Sequence, residues 1–345
     1  MLAAMTEQTE TRRQRAARRA GEFPPPPDPL PLPVIDSHTH LDITIAEAGV
    51  PGRQGLPPSS ADGPVSSGGS AGGGGSASGG GSAGGGGSAG GGGSAGGGGS
   101  AGGDPVEAAV AVAARAGVDR LVQVGVDVAS SRWGAELAAR NPAVLATVAL
   151  HPNEAPWLTD LDEALREIES LAAADRVRGI GETGMDHFRT GDEGRAAQEF
   201  SFRAHIAIAK RYGKPLVIHD RDAHAEVLRI LDNEGAPETV VLHCFSGDEA
   251  FAVECVRRGY LLSFAGTVTF AGATALRDAA RVTPLDQLLV ETDAPYLTPM
   301  PYRGRPNASY LIPLTVRSLA DSMGTDLAAT CAAISANGDR VFGPW

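Results

Sequence analysis

Short apolar segments alternate with helix-length amphipathic segments along most of the 345-residue chain. The intervening segments, such as 105–117 and 192–213, repeat apolar residues at spacings of three and four, which is typical of amphipathic helices. Eight strand–helix units predict a parallel α/β fold, a (β/α)8 TIM barrel, with a closing helix over 327–343. The eight strand-like segments are 34–40, 120–127, 144–152, 177–186, 215–222, 239–247, 260–267 and 288–295.

Two segments lack the apolar residues that a folded core needs. Residues 1–33 contain an arginine cluster followed by PPPPDPLPLP, so we expect a disordered Arg/Pro-rich tail. Residues 50–103 are rich in Gly, Ser and Ala, and a serine recurs every six residues from Ser70 to Ser100. We expect this segment to be a long, disordered and flexible insertion in the first βα loop. The barrel domain is therefore predicted to span 34–345, with the insert inside it.

Composition limits the classes of function. The net charge is −12, which argues against a protein that coats nucleic acid nonspecifically, because such binding needs a surface rich in lysine and arginine. The three widely spaced cysteines predict free thiols in a reducing, cytoplasmic compartment. No apolar stretch is long and charge-free enough to span a bilayer, so we expect no membrane association. Nothing in the sequence indicates an obligate protein partner.

Most of the eight segments end in a side chain that can bind a metal or carry a proton. The C-terminal ends of barrel strands meet at one face, so these side chains are expected to converge there. Each of these residues could instead have a purely structural role: a packed histidine, a helix-capping glutamate or an aspartate in a turn. Together, however, these alternatives require several independent coincidences at one barrel mouth. The residues are His38, His40, His151, Glu182, His219, His243 and Asp293.

Six of these residues form a mixed nitrogen and oxygen ligand set. One catalytic zinc usually takes three protein ligands, whereas two divalent ions (Mg²⁺, Mn²⁺ or Zn²⁺) joined by Glu182 would use all six. Such ions would promote deprotonation of a water between them, and Asp293 is placed to accept its proton. Glu182 and Asp293 are therefore the predicted catalytic residues. The predicted ligands are His38, His40, Glu182 and Asp293 for one ion, and Glu182, His219 and His243 for the other.

Several short motifs resemble the TatD family of metal-dependent hydrolases. They are HTH (38–40), GETGMD (181–186), VIHDRDA (217–223), HCFSG (243–247), ETDAPYL (291–297), PYRGRPN (301–307) and NGDRVF (337–342). The resemblance covers about 34–49 and 104–343. It implies an amidohydrolase-like barrel with two divalent metals and Mg²⁺-dependent 3′–5′ exonuclease activity on DNA or RNA. Some family members are also described as D-aminoacyl-tRNA deacylases.

Carried over to this chain, the resemblance implies metal ligation by the same six residues and places His151 beside the substrate. Three departures concern other positions. His187 stands where the family usually has an aromatic residue, and Asn307-Ala308-Ser309 replaces the usual Asn-Glu-Pro. The Gly-rich insert is additional. Because none of these departures touches a predicted ligand, they bear on substrate preference more than on the chemistry.

Two arginines near the predicted site are candidate phosphate contacts. Arg221 follows His219 by two positions and should point to the same side of a strand, although a barrel salt bridge is an equal alternative. Arg303, in the loop after the last strand, is weighed against a merely solvated charge. Strand alternation predicts that the side chain of Cys244 points away from that of His243, so we expect Cys244 to be packed rather than to bind metal.

The leading functional hypothesis is a two-metal phosphodiesterase, a 3′–5′ exodeoxyribonuclease that acts on nucleic-acid ends. The alternative is hydrolysis of an aminoacyl ester, an amide or a lactone at the same site. Related dinuclear barrels often use a carboxylated lysine as the bridge, whereas here the fourth strand offers Glu182 and none of the strand ends carries a lysine. A binding protein without catalysis is disfavoured because the ligand set is complete.

Overall fold

The computed structural model describes residues 21–47 and 104–345. The predicted flexible insert, 50–103, and the first 20 residues of the predicted tail lie outside the described residues.

Eight parallel strands lie side by side in the order β1 to β8 and form a nearly closed barrel with helices between them. The predicted (β/α)8 TIM barrel is confirmed. Closure between the last strand and the first uses the backbone bridge from Thr39 to Ala294 and a hydrogen bond from Ser37 Oγ to Val290 O at 2.9 Å. The strands are β1 (Val34–Thr39), β2 (Val118–Val124), β3 (Val144–Val148), β4 (Val177–Asp186), β5 (Leu216–Arg221), β6 (Val240–Leu242), β7 (Leu261–Phe264) and β8 (Leu288–Val290).

The described helices follow the strands as predicted, and local signals explain several of their ends. Asp127 begins the helix after β2 by accepting a hydrogen bond from Ser130 N, and Gly213 ends the long helix after β4 in the left-handed conformation. The α-helices are α1 (Leu41–Glu47), α2 (Pro105–Arg115), α3 (Val128–Arg140), α4 (Leu161–Ala172), α5 (Asp192–Tyr212), α6 (His224–Glu234), α7 (Glu249–Arg257), α8 (Thr274–Val282), α9 (Ile312–Met323) and α10 (Leu327–Phe342).

Strands β6 and β8 are much shorter than the apolar segments that predicted them. The predicted strands 239–247 and 288–295 contain only three strand residues each. The chain leaves the extended conformation soon after, at Cys244 (φ 43°) and Asp293 (φ 53°). These left-handed turns redirect the side chains at the barrel mouth, where the candidate site lies.

Residues 21–33 differ from the disordered tail that was predicted for 1–33. They carry no helix or strand, but Pro24 and Leu30 are buried and Leu30 N donates to Ala116 O at 3.1 Å. Arg305 donates hydrogen bonds to the backbone carbonyls of Glu22 and Phe23, at 2.8 and 2.7 Å. This segment therefore packs along the barrel, because two of its side chains are buried there and its backbone groups find hydrogen-bond partners on the barrel.

A close backbone approach joins the two strands that carry Glu182 and His219. Gly184 has φ 140°, and a Cβ atom there would lie 2.0 Å from His219 O. Gly184, the second glycine of GETGMD, is therefore required for β4 to pack against β5 beside His219. Among the described residues, no helix combines the length and apolar character needed to cross a membrane.

Candidate metal centre and active site

The predicted site residues line one cavity of about 460 Å³ at the C-terminal ends of the strands. Its floor carries buried or half-buried imidazoles and carboxylates from six different strand ends. A cavity of this size accommodates a small substrate or one end of a polymer. The members of the predicted set that line it are His40, His151, Glu182, Arg221, His219, His243 and Asp293.

Glu182 lies at the centre of the site. Its Oε1 atom is 2.6 Å from His219 Nδ1, 2.7 Å from His243 Nε2 and 3.2 Å from His151 Nε2. His219 Nδ1 and His243 Nε2 are themselves 3.4 Å apart. One carboxylate oxygen thus faces three imidazole nitrogens, in a side chain that is almost fully buried.

A second group of ligand atoms lies on the other side of Glu182. Its Oε2 atom is 3.3 Å from His38 Nε2, and Asp293 Oδ1 is 3.8 Å from His38 Nε2 and 3.5 Å from His40 Nε2. His38, His40 and Asp293 offer ligand atoms that all lie within 4.8 Å of one another, as a metal ion would require. The two carboxylate oxygens of Glu182 therefore face different sets of histidines.

The outer nitrogens of three histidines are bound to acceptors, which orients the inner nitrogens toward the carboxylates. His219 Nε2 faces Asp186 Oδ2 at 3.1 Å, and His243 Nδ1 faces Glu291 Oε1 at 3.2 Å. His40 Nδ1 faces the carbonyl of Val124 at 3.3 Å. An imidazole that donates its outer N–H to a carboxylate or carbonyl presents an inner lone pair, which is the usual arrangement of metal-binding histidines.

His38 supplies an independent test of whether the cluster fits a metal. Its side chain is fully buried, and neither ring nitrogen has a hydrogen-bond partner among the described residues. Buried polar atoms are normally satisfied, and Nε2 of His38 lies close to the carboxylates of Glu182 and Asp293, so this nitrogen fits the role of a metal ligand. The donor set, with imidazole nitrogens and carboxylate oxygens, fits a divalent transition metal.

The contacts between the carboxylates and the histidines also shift the pKa values of the metal-free cluster. Burial alone would raise the pKa of Glu182, but His243 and His151 hold it well below its ordinary value. Burial would lower the pKa of His219, yet its bonds to Asp186 and Glu182 raise that pKa to about 9. Without a metal, His219 thus tends to hold a proton between Glu182 and Asp186, and a cation bound on the Glu182 side would displace it.

Comparison with known proteins identifies the chain's family. The model of the TatD related DNase family matches residues 100–343. This chain belongs to that family. The match begins after β1, so the assignment does not depend on the histidines of that strand.

Two relatives and one solved structure illustrate the similarity. A Mycobacterium tuberculosis protein called uncharacterized metal-dependent hydrolase TatD is 47% identical over 244 residues, which cover 70% of this chain and 92% of that protein. A Citrobacter rodentium protein named 3′-5′ ssDNA/RNA exonuclease TatD is 35% identical over 245 residues, 69% of this chain and 91% of that protein. The crystal structure of the TatD homologue YjjV from Escherichia coli matches with a TM-score of 0.65 and 27% identity, covering 69% and 92% of the two chains. The protein is accordingly a metal-dependent hydrolase of the TatD family, acting on ester bonds.

His151 is the residue of this TatD-family cavity whose position allows two interpretations. It was predicted as a substrate contact, yet its Nε2 atom is grouped with Glu182 and His219 at metal-binding spacing. Its Nδ1 atom accepts a hydrogen bond from Asn153 N at 3.0 Å, so in the neutral ring the proton lies on Nε2. Because a protonated nitrogen donates rather than ligates, this tautomer favours a contact with substrate oxygen.

The two predicted phosphate contacts differ in position. Strand β5 extends to Arg221, whose side chain lines the cavity as strand alternation predicted. Arg303 is exposed and does not line the cavity; its guanidinium lies over the ring of Phe270, with Cζ 4.3 Å from the centroid. A direct phosphate contact by Arg303 therefore stays a prediction with weaker geometric support.

Strand alternation did not predict the position of Cys244. Its side chain was expected to point away from the site, but Cys244 lines the cavity because the chain turns there with a positive φ. Burial, followed by the charges of Asp293 and Glu291, raises the pKa of its thiol well above the ordinary value. A neutral thiol is a poor ligand, and Cys244 belongs to none of the described groups at metal-binding spacing.

Three further side chains in or next to the site were missed from the sequence. Asp186 and Glu291 hold the outer nitrogens of His219 and His243, and Arg189 lines the cavity. Asp186 was within reach of sequence reasoning, since it ends the GETGMD motif. Glu291 begins the ETDAPYL motif, but its role was harder to predict, because β8 ends at Val290 and the orientation of Glu291 depends on the turn that follows.

Proposed function

We propose that this TatD-family hydrolase is a two-metal phosphodiesterase that removes nucleotides from nucleic-acid ends. The observation that supports it most is the carboxylate of Glu182, shared between two sets of inward-facing histidines on the floor of a cavity whose wall carries the Arg221 guanidinium. A paired metal site with a nearby cation is suited to an anionic phosphodiester. The 3′–5′ polarity is taken from the name of the Citrobacter relative.

The metal ligands in this proposal form two sets that share Glu182. His38, His40 and Asp293 with Glu182 Oε2 would hold one divalent ion, and His219 and His243 with Glu182 Oε1 would hold the other. Bound Mg²⁺, Mn²⁺ or Zn²⁺ supplies a Lewis acid that lowers the pKa of water and stabilises charge on phosphate oxygens.

The remaining residues of the cavity bind the substrate and move protons. Asp293 accepts the proton from the attacking water, since its carboxylate lies at the cavity surface between His38 and His40. His151 donates its Nε2 hydrogen to a non-bridging or leaving oxygen of the phosphodiester. Arg221 binds the neighbouring phosphate, because it lines the same cavity and has no carboxylate partner among the described residues.

A substrate panel tests the proposal against hydrolysis of an aminoacyl ester or a lactone. Metal-stripped protein would be given Mg²⁺, Mn²⁺ or Zn²⁺ and then end-labelled DNA, end-labelled RNA, an aminoacyl ester or a small lactone. We expect metal-dependent release of mononucleotides from nucleic-acid ends, and Asp293→Asn serves as the inactive control. Efficient cleavage of the aminoacyl ester or lactone without any release of nucleotides would contradict the proposal.

A cytoplasmic location remains a prediction that rests on the cysteines. Cys244, Cys255 and Cys331 form no disulfide, which agrees with free thiols in a reducing compartment.

A further inference from the structure

Phe188 is a large apolar side chain that stays half exposed next to the candidate metal centre. It lies in the loop after β4, and 51% of its surface is accessible. Its backbone is held in place, because Asp186 Oδ1 accepts hydrogen bonds from Phe188 N at 3.0 Å and from Arg189 N at 2.8 Å. The other oxygen of Asp186 faces His219, so the loop of Phe188 and the metal centre share one buried carboxylate.

The guanidinium of Arg221 covers part of the Phe188 ring. Its Cζ atom lies 3.9 Å from the ring centroid, within cation–π range. Among the residues that the structure describes, this guanidinium makes no hydrogen bond and no ion pair. Arg203, in helix α5, and Arg258, directly after helix α7, each bind two carboxylates instead. Arg221 is thus positioned by an aromatic ring, and its N–H donors stay available at the wall of the cavity.

We propose that Phe188 and Arg221 form a nucleobase-binding site beside the metal centre. A base of the substrate stacks on the accessible part of the Phe188 ring, while Arg221, on the ring and at the cavity wall, binds the phosphate next to that base. The inference rests on the proposed nuclease function, and it adds a residue that selects nucleotides over other phosphodiesters.

The chemistry of stacking determines what such a site changes. Aromatic side chains bind bases of any sequence, because every base has a π face. Stacking of one base on an aromatic ring changes affinity by about 5- to 150-fold. Phe188 is itself neither a predicted metal ligand nor a proton-transfer residue, so its loss should raise KM for nucleotide substrates and leave kcat nearly unchanged.

The test compares two single-stranded oligothymidylates in the presence of Mg²⁺. One carries normal thymines throughout, and the other carries abasic residues at its 3′ end. The variants are Phe188→Ala, Phe188→Leu, which keeps apolar volume, and Phe188→Tyr, which keeps an aromatic face. Phe200→Ala is the matched control, because Phe200 is also 51% exposed but lies on helix α5, in a separate groove on the outer surface.

We expect wild type, Phe188→Tyr and Phe200→Ala to prefer the normal oligonucleotide over the abasic one by about tenfold in kcat/KM, in the range of one stacked base. In Phe188→Ala and Phe188→Leu this preference should fall to near parity through a higher KM. A general disturbance of Arg221 would slow both oligonucleotides equally, so an unchanged preference in these variants overturns the base site.

Different results would contradict the base site and the proposed nuclease function. If wild type cleaves the normal oligonucleotide but shows no preference over the abasic one, the base site is wrong and the nuclease function stands. If wild type with Mg²⁺ releases nucleotides from neither oligonucleotide, the proposed function is wrong and the base site falls with it.

Discussion

His219 Nε2 lies 3.1 Å from Oδ2 of Asp186, and this contact determines which nitrogen of the imidazole faces Glu182. Asp186 is completely buried, and its second oxygen is fixed by two backbone amides of the following loop. Asn153 Nδ2 also donates to Asp186 Oδ2, at 3.0 Å. A single carboxylate thus orients a candidate ligand and two loops around the cavity.

Replacement of Asp186 by asparagine should weaken metal binding. The amide still offers an oxygen to the loop amides, but its NH₂ group cannot accept the proton of His219 Nε2, so the ring loses its fixed tautomer. We expect metal affinity to fall by about 10- to 100-fold. Calorimetric titration of metal-free protein measures this. Asp220→Asn is the control, because it breaks the similar Asp220–His224 contact, at 2.7 Å, outside the candidate ligand set.

The Asp293→Asn variant should lose turnover while it keeps substrate binding. The amide retains the shape and one coordinating oxygen, but it is not a base, and general-base catalysis contributes about 10²- to 10⁴-fold. Steady-state kinetics should therefore show a fall of that size in kcat with KM nearly constant. A variant with wild-type kcat would remove Asp293 from the proton-transfer step.

The fold was predictable because the sequence repeats the same pattern eight times: a short apolar strand followed by an amphipathic helix. Val34–Thr39 and Val177–Asp186 were recovered to within a residue, since both are apolar runs that end in polar motifs. The short strands β6 and β8 were overestimated, because their backbone leaves the sheet at left-handed residues that periodicity does not reveal. Residues 21–33 were misjudged because their order depends on distant partners: Arg305 binds the backbone carbonyl of Glu22, and the side chain of Leu30 is buried in the barrel's core cluster.

The sequence predicted which residues form the candidate site, but not the hydrogen bonds that orient their side chains. Strand ends of a barrel converge, so His38, Glu182 and His219 had to lie close together. What the sequence could not supply was the orientation of each imidazole, which depends on contacts across the barrel such as that between His243 and Glu291. The position of Cys244 was missed for a related reason, since one left-handed residue breaks the alternation of side chains.

Replacement of residues 55–102 by a short turn should leave folding and metal content intact. The helices on either side of this segment, α1 and α2, already pack together through Leu41, Ile45 and Val106. Loop closure costs depend only weakly on length, so a short connector is not penalised. The melting temperature and the cleavage of a small chromogenic phosphodiester should stay close to the parental values. A large fall in either would indicate that the insert folds over the cavity as a lid.

His205 should make the unfolding free energy depend on pH. It lies in α5, where Nε2 accepts a hydrogen bond from Leu150 N at 3.1 Å and Nδ1 donates to Ser201 O at 2.7 Å. Burial lowers its pKa from 6.5 to about 4, so the folded state holds it neutral. Below pH 6.5 the unfolded chain binds the extra proton, and the stability contributed by the neutral form is lost as pH falls toward 4.

The expected size of this effect is about 2 kcal/mol between pH 7.5 and 5, from the linkage of the two pKa values. Urea unfolding of metal-free protein at several pH values measures it, and metal removal eliminates the competing pH dependence of metal binding. In His205→Gln the total stability should be lower, but its decline between pH 7.5 and 5 should be smaller. An equal decline in both proteins would show that His205 is not the group responsible.

The most direct test of the proposed two-metal centre counts the ions bound per chain. Protein reloaded with Mn²⁺ or Zn²⁺ and freed of excess metal should contain two ions by mass spectrometry. Glu182→Ala should lose both ions and all hydrolytic activity, because each set of histidines shares this carboxylate. Glu154→Ala, which removes another carboxylate of the same cavity, should retain both ions. A single ion in the wild-type protein, or two ions that persist in Glu182→Ala, would contradict the account.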